Sequence, residues 1–278
     1  MPLVTQIGLM DTTGHIDTHL MQTVAAALNL QVTRDLPQYW PVHATVIYLA
    51  NPRSVPAGVW PVQLVSHLPP GEGGFHLTKH NQPYAKVLVA PGSDGWTIAA
   101  SHEVSEMLVD PSGNRLQASI AIEVVNGQIQ DGTGQFEYLV EACDPCEADN
   151  YAYTIQGVAV SDFLTPHFYD PMLTQGTRYS FTGALKKPRE ILPGGYISWI
   201  NPAAEEVQQL QYVDPNQPPT IVNLGPASGA SLREFIDSKS RPTVALSNMR
   251  GDHPVLEAAR RYRASRDEAA LRRARHYE

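Results

Sequence analysis

Three residues in one short stretch have the types and spacing of a metal-dependent hydrolytic site. In the segment Trp96–Pro111, His102 and Glu106 are four residues apart, and Glu103 directly follows the histidine. On an α-helix, positions four apart point the same way, so this imidazole and carboxylate can share one metal ion. The pattern H-E-x-x-E differs from the H-E-x-x-H helix of zinc peptidases in its last ligand. Glu103 has the position of a general base that takes a proton from metal-bound water.

The helix itself is predicted from its apolar residues. They follow the i, i+4, i+7, i+8 spacing of a buried stripe, at Ala100, Val104, Met107 and Leu108. The alternative interpretation of the opposite side is an ordinary polar surface on which a histidine lies by chance. Asp110 begins an Asp-Pro-Ser-Gly sequence typical of a type I turn. We assign it to that turn, because two helical turns of about 11 Å separate it from His102.

A third ligand must come from elsewhere, and the stretch Leu139–Glu147 offers two acids. Glu141 and Asp144 follow a predicted strand, and a spacing of three places them on opposite faces of a regular strand. We therefore expect one to bind metal and the other to orient a ligand or turn the chain. Cys143 and Cys146 could form a redox dithiol or a soft metal half-site, but a strand-like sequence follows them rather than a helix.

Histidines outside the helix are further candidates. His76 and His80 precede a predicted strand, and the residues 81–83, Asn-Gln-Pro, favour a loop. One of the two could add a ligand or stabilise the oxyanion of a tetrahedral intermediate. Exposed loop histidines are the alternative. The same two interpretations apply to His167 and Tyr169.

The distribution of charge limits the possible partners. The 278 residues have a net charge of -8, whereas residues 250–278 hold eight arginines against five acids. The acidic remainder lacks the basic face that nucleic-acid binding requires. Between residues 102 and 170 there are twelve acids and one basic residue, Arg115. Crowded carboxylates raise each other's pKa unless a cation compensates them, so these acids form either a metal site or a solvated acidic surface.

The pattern of apolar residues predicts an α+β fold. The expected elements are strands at 3–10, 44–50, 59–65 and 84–90, helices at 15–30 and 96–110, and hairpins over 112–160 with a turn at Asp131-Gly132. We expect a metal-binding domain over 1–200, a Pro- and Asn-rich extension over 201–249 and an Arg-rich helical tail over 250–278. The sequence has neither a secretory signal nor an apolar run of membrane-spanning length, which predicts a cytoplasmic protein without membrane contact.

Six sequence blocks together resemble a largely uncharacterised family of bacterial and phage-associated proteins with the motif S-H-E-x-x-E-x-x-x-D-P. The blocks are GFH (74–76), PYAKV (83–87), ASHEVSEMLVDP (100–111), VEACDPCE (140–147), VAVSDFLTPHFYDP (158–171) and LPGGYISW (192–199). Members of this family are suspected to be zincin-like metallopeptidases. The resemblance covers roughly residues 3–200 and implies a zincin-like mixed sheet with an active-site helix, followed by hairpins and a loop-rich part.

The resemblance also implies roles for individual residues. His102, Glu103 and Glu106 would belong to the site, Glu141 and Asp144 would be its downstream acids, and His76 would lie near. A carboxylate in place of the second histidine makes the ligand set more acidic, which favours harder ions, so both Zn²⁺ and Ca²⁺ are candidates.

Two hypotheses of function follow. The first is a metal-dependent hydrolase, a metallopeptidase acting on a peptide or protein, in which Glu103 activates water. The second is a non-catalytic protein, either with a metal ion that joins helix to strand or as a phage-associated or effector module whose basic tail docks a partner.

Overall fold

The computed structural model describes residues 4–229, 231–240 and 254–274. Its α-helices are α1 (Thr18–Leu30), α2 (Trp96–Val109), α3 (Leu232–Lys239) and α4 (Pro254–Ala274). Its strands are β1 (Thr5–Asp11), β2 (Ala44–Tyr48), β3 (Val59–Val65), β4 (Gly74–Lys79), β5 (Gln82–Leu88), β6 (Leu116–Val125), β7 (Gln128–Leu139), β8 (Tyr153–Ile155), β9 (Val158–Val160), β10 (Tyr196–Asn201), β11 (Glu206–Gln211) and β12 (Thr220–Gly225). The predicted α+β class is confirmed.

The first sheet is mixed and supports the central helix. Its strand order is β2-β1-β3-β5-β4, with parallel pairing throughout except for the antiparallel edge strand β4. Helix α1 begins where the Asp17 carboxylate accepts hydrogen bonds from the backbone amides of His19 and Leu20, an N-cap that satisfies otherwise orphaned donors. Its buried face, including Val24 and Leu28, packs on β2.

Helix α2 lies against β4, β5 and β9 and is buried on all sides. Every residue of α2 except Ala99 is buried, including the predicted apolar stripe. The side that bears His102, Glu103 and Glu106 is therefore no solvated polar surface. Buried ionisable groups need partners within the protein, and those partners define the candidate site.

The second sheet is antiparallel, in the order β12-β11-β10-β7-β6. Its β6–β7 hairpin turns at Asn126-Gly127, where both residues have positive φ, 52° and 77°. The predicted turn at Asp131-Gly132 is wrong, since both residues lie within β7. Asn-Gly suits the type I′ geometry of a two-residue hairpin, and it shifts the turn to the earlier position.

The sheet continues past residue 200, because β11 and β12 pair next to β10. The helix predicted in the Arg-rich tail is present as α4. Its Leu256 packs with Ile98 and Ala159, and Arg260 and Arg263 form ion pairs with Asp94. The parts of the predicted extension and tail at 241–253 and 275–278 lie outside the described residues.

We predict that Gly74→Ala disturbs the packing of β4 on α2. A Cβ at this position would lie 2.8 Å from Glu103 Oε1 and 3.1 Å from Glu103 Cγ, closer than van der Waals contact allows. Overpacking of this kind costs about 1–3 kcal/mol, measurable by denaturant unfolding. Gly132→Ala is the matched control, because its nearest contact would be an ordinary 3.5 Å. Equal stability of the two variants would contradict this account.

Candidate metal centre

Side chains from α2 and from the segment after β7 meet at one buried point. His102 Nε2 lies 3.2 Å from Glu106 Oε2 and 3.1 Å from Asp144 Oδ1. Glu106 Oε1 accepts a hydrogen bond of 2.9 Å from the backbone amide of Cys143, which fixes this segment against the helix. The ligand atoms of His102, Glu106 and Cys143 also lie within 4.8 Å of one another. Nitrogen, oxygen and sulphur donors are thus brought together.

The spacing of these atoms fits a coordination shell. Two ligand atoms that each lie about 2.0–2.1 Å from a zinc ion at tetrahedral angles are about 3.3 Å apart. The distances of 3.1 and 3.2 Å from His102 Nε2 to its two carboxylate neighbours are close to that value. Buried groups here can therefore hold a metal ion, and the sets with all ligand atoms within 4.8 Å join His102 and Glu106 to Cys143, and His102 and Asp144 to Glu147.

Glu141 and Asp144 converge instead of pointing apart. The expectation of opposite strand faces is wrong, because β7 ends at Leu139 and a short helical turn begins at Asp144. Both acids are buried, and their carboxylate oxygens lie within 4.8 Å of each other and of Glu106. Three carboxylates at this distance raise each other's pKa unless positive charge compensates them.

His76 is the second imidazole of the cluster. Its Nδ1 lies 3.2 Å from Glu103 Oε2 and 3.8 Å from Glu106 Oε2. The predicted loop is wrong for this residue, which is buried in β4. The chain reverses within two residues, His80 and Asn81, at φ 51° and 60°, so the preceding residues extend into the strand. His80 itself is exposed in the turn.

Arg233 is a member of the cluster that the sequence analysis missed. Its Nη1 lies 3.1 Å from Glu106 Oε2 and 3.8 Å from Asp144 Oδ2, and it also contacts Glu141. Its Nε lies 3.2 Å from Asp237, one turn further along α3. The guanidinium thus supplies a positive charge where three acids meet.

A local signal for α3 exists in the sequence. Ser231 and Glu234 have the S-x-x-E spacing of a capping box, and the Ser231 side chain accepts a hydrogen bond from the Glu234 amide. The helix is anchored near the end of α2, because the Arg233 amide donates to the Gly113 carbonyl at 3.0 Å. Gly113 has φ +64°, and a Cβ there would approach Arg233 Cβ to 2.7 Å. This close approach requires glycine.

The charges in the cluster shift each other's protonation. Burial lowers the pKa of His102, but the Glu106 carboxylate and the hydrogen bond to Asp144 outweigh it and hold that pKa well above its ordinary value. Burial raises the pKa of Glu106, yet the neighbouring charges of His102 and Arg233 bring it well below its usual range. His102 and Glu106 are therefore a charged pair in the metal-free protein.

The pKa values of Asp144 and Glu141 are raised, in contrast to that of Glu106. Burial, reinforced by the charge of Glu106, raises the pKa of Asp144 to about 6, although Arg233 opposes the shift. Burial likewise raises the pKa of Glu141 well above its ordinary value. Ionised carboxylates at these two positions cost folding free energy that a nearby cation offsets.

A cavity of about 100 Å³ connects the cluster to the surface. Its wall includes His102, Glu103 and Arg233, together with the glycine-rich segment 71–74 that leads into β4. Glu147 and Asp149 also line it, and a Glu147 ligand atom lies within 4.8 Å of those of His102 and Asp144. A small molecule or part of a chain can therefore reach the proposed base and one proposed ligand.

The other candidate residues lie in different settings. Asp110 forms the predicted turn, with its carboxylate accepting a 2.7 Å hydrogen bond from the Arg115 amide. Cys143 and Cys146 are buried free thiols whose pKa values are raised by burial, which makes them poor redox nucleophiles. His167 is exposed and lies 2.8 Å from Asp170.

Comparison with known proteins identifies no relative. The chain matches no family model, no curated protein and no solved structure. Within the described residues, no helix combines the length and apolar character needed to cross a membrane. The geometry of the cluster must therefore carry the functional argument.

We predict that Arg233→Gln destabilises the metal-free protein by about 3–5 kcal/mol at pH 7.5, because it leaves buried carboxylates uncompensated. The raised pKa of Asp144, about 6, sets the pH dependence. Below that pH the carboxylate gains a proton and its cost disappears, whereas above it the charge must be compensated. Because Arg233 lowers the pKa of Asp144, the variant keeps this proton to a higher pH, and the stability gap between variant and wild type should narrow as the pH falls from 8 towards 6.

Chemical unfolding at several pH values measures this gap. Arg261→Gln is the control, since it removes only the exposed ion pair to Glu257 and should cost less than about 0.5 kcal/mol. A gap for Arg233→Gln that is constant from pH 5 to 8 would refute the electrostatic explanation.

Proposed function

We propose that this protein is a metal-dependent hydrolase, specifically a metallopeptidase with an H-E-x-x-E helix. The observation that carries the proposal is the approach of His102 Nε2 to carboxylate oxygens of Glu106, at 3.2 Å, and of Asp144 from another chain segment, at 3.1 Å. Glu141 adjoins this set as a further acidic ligand. The sequence resemblance to zincin-like proteins and the antiparallel edge strand β4 beside the helix are consistent with that class.

Zn²⁺ is the metal that the donor set favours. Zinc accepts imidazole nitrogen, carboxylate oxygen and thiolate sulphur, and His102, Glu106 and Cys143 offer one of each. Calcium takes six to eight oxygen ligands, which the imidazole of this cluster does not supply. A bound divalent ion would supply a polarised water of lowered pKa and a Lewis acid for the scissile carbonyl.

The protein's own residues would divide the remaining work. Glu103 lines the cavity next to His102 and can accept the proton of the attacking water. His76 holds Glu103 through its Nδ1 and, at 1% exposure, is too deeply buried to contact substrate, so we assign it a positioning role. Peptide or protein substrates would enter through the cavity beside the segment 71–74.

A second candidate function is a non-catalytic one, in which the cluster only joins α2 to neighbouring elements. The contacts of Arg233 with Glu106 and Glu141 favour it, because a guanidinium already neutralises part of the acidic charge. In that case the acids and Arg233 would form a structural ion-pair network, with or without a metal ion.

Metal content separates these possibilities. We expect protein purified without chelator to contain close to one equivalent of zinc, and His102→Ala to contain at least tenfold less, measured by elemental analysis. His167→Ala is the matched control, because it removes an exposed histidine outside the cluster. The affinity of the protein for zinc should fall as the pH decreases, because His102 must lose its proton to bind the metal and the pKa of His102 is raised. Equal metal in wild type and His102→Ala would exclude this site.

Glu103→Gln tests catalysis apart from metal binding. The amide is nearly isosteric but cannot accept a proton, so we expect full metal content, an unchanged unfolding midpoint and at least a hundredfold loss of peptide hydrolysis. Cleavage of a casein or fluorogenic peptide substrate provides the measurement. Undiminished turnover in Glu103→Gln would remove it as the base, and absence of turnover in metal-loaded wild type would favour the structural candidate.

A further inference from the structure

One buried carboxylate in the cavity wall has no partner among the described residues. Asp149 is 5% exposed and lines the cavity that contains His102 and Glu103. It begins a short helical turn, Asp149–Tyr151, and burial alone raises the pKa of its carboxyl to about 7, with no hydrogen bond or neighbouring charge from the described residues acting on it. Within residues 4–229, 231–240 and 254–274, its carboxylate forms neither a hydrogen bond nor an ion pair.

Neighbouring acids in the same cavity differ in this respect. Glu103 contacts His76, and Asp237 pairs with Arg233. Asp149 also belongs to none of the residue groups that bring metal-ligand atoms together in the described structure. Within the described residues, the carboxylate of Asp149 therefore neither belongs to the candidate metal centre nor pairs with a basic side chain.

We propose that Asp149 is a subsite for a cationic group of the substrate, an ammonium or a guanidinium. This inference rests on the proposed hydrolase, because it places the basic group next to the bond that Glu103 would help to cleave. A carboxylate that is buried without a partner is costly, and an incoming cation offsets that cost. The substrate would then be a peptide with lysine or arginine close to the scissile bond.

The cavity suits such a group in charge and in size. Its wall contains five acidic side chains against the basic side chains of His102 and Arg233, so the balance of charge favours a cation; the acids are Glu72, Glu103, Glu147, Asp149 and Asp237. The volume of about 100 Å³ is several times the space that one buried water needs, which leaves room for the end of a basic side chain. A neutral group of the same shape would leave Asp149 uncompensated and would bind less well.

Binding of small probes tests the subsite without any assay of hydrolysis. Butylguanidinium and its neutral counterpart butylurea are titrated into wild type, Asp149→Asn and Glu137→Gln, with binding followed by NMR. Glu137 is an exposed acid outside the cavity and is the matched control. We expect butylguanidinium to bind wild type and Glu137→Gln equally and Asp149→Asn at least tenfold more weakly, and butylurea to be insensitive to Asp149→Asn.

Folding of the variant supplies a second criterion. Because burial raises the pKa of Asp149 to about 7, Asp149→Asn removes an uncompensated buried charge at pH 8, and its unfolding midpoint there should equal or exceed that of wild type without ligand. A lower midpoint would reveal a structural partner of Asp149 and would overturn the proposal. So would equal binding of butylguanidinium to wild type and Asp149→Asn.

Two matched peptides separate this proposal from the proposed hydrolase. Fluorogenic peptides with arginine or with its neutral isostere citrulline are offered to the metal-loaded protein. Preference for arginine of at least tenfold, lost in Asp149→Asn, supports the subsite. Equal cleavage of both peptides refutes the subsite while leaving the hydrolase intact. Butylguanidinium binding that depends on Asp149, without cleavage of either peptide, refutes the hydrolase and retains the subsite.

Discussion

The fully buried carboxylate of Glu106 is the interaction on which the site depends. One oxygen accepts the backbone amide of Cys143, and the other lies within 3.2 Å of both His102 Nε2 and Arg233 Nη1. His76 Nδ1 is 3.8 Å away. Through one side chain, α2 is joined to the segment after β7, to α3 and to β4. A buried charge demands such partners, and the geometry of the partners is therefore tightly constrained.

Two kinds of cation can compensate the charge of these acids, a guanidinium and a metal ion, and they arrange the acids differently. A guanidinium is planar and fixed to its helix, so Arg233 contacts Glu106 and Glu141 from the side of α3. A metal ion draws its ligands into a shell around one point, and His102 Nε2 lies 3.2 and 3.1 Å from carboxylate oxygens of Glu106 and Asp144. Glu106 Oε2 contacts both the His102 imidazole and the Arg233 guanidinium.

The sequence predicts those features that depend on local spacing. The helix over 96–110, its buried stripe and the joint orientation of His102 and Glu106 follow from a period of 3.6 residues. The convergence of Glu141 and Asp144 was not predictable from strand alternation, because the chain leaves the strand before them. Two pairs in this hairpin have residue types that favour a turn, Asn126-Gly127 and Asp131-Gly132, and the turn forms at the first rather than at the predicted second.

The contacts of Arg233 with the acids could not be predicted from local sequence spacing. It is far from the acids in sequence, and its place among them depends on how the second sheet and α3 return to α2. The sequence analysis includes His76 as a candidate, but its contact with Glu103 depends on strand β4. The residues 81–83, Asn-Gln-Pro, predict a loop there instead of this strand. Both contacts join distant segments, so they follow from tertiary packing and not from periodicity.

The late position of α3 in the chain has a consequence for biosynthesis. Translation completes α2 and the acids after β7 well before Arg233, so a growing chain presents Glu106, Glu141 and Asp144 without their guanidinium. Until α3 emerges from the ribosome, compensation of these acids rests on protons, the nearby histidines and ions from the surrounding solution. The order of synthesis thus places every acid of the cluster in the chain ahead of the arginine that pairs with it.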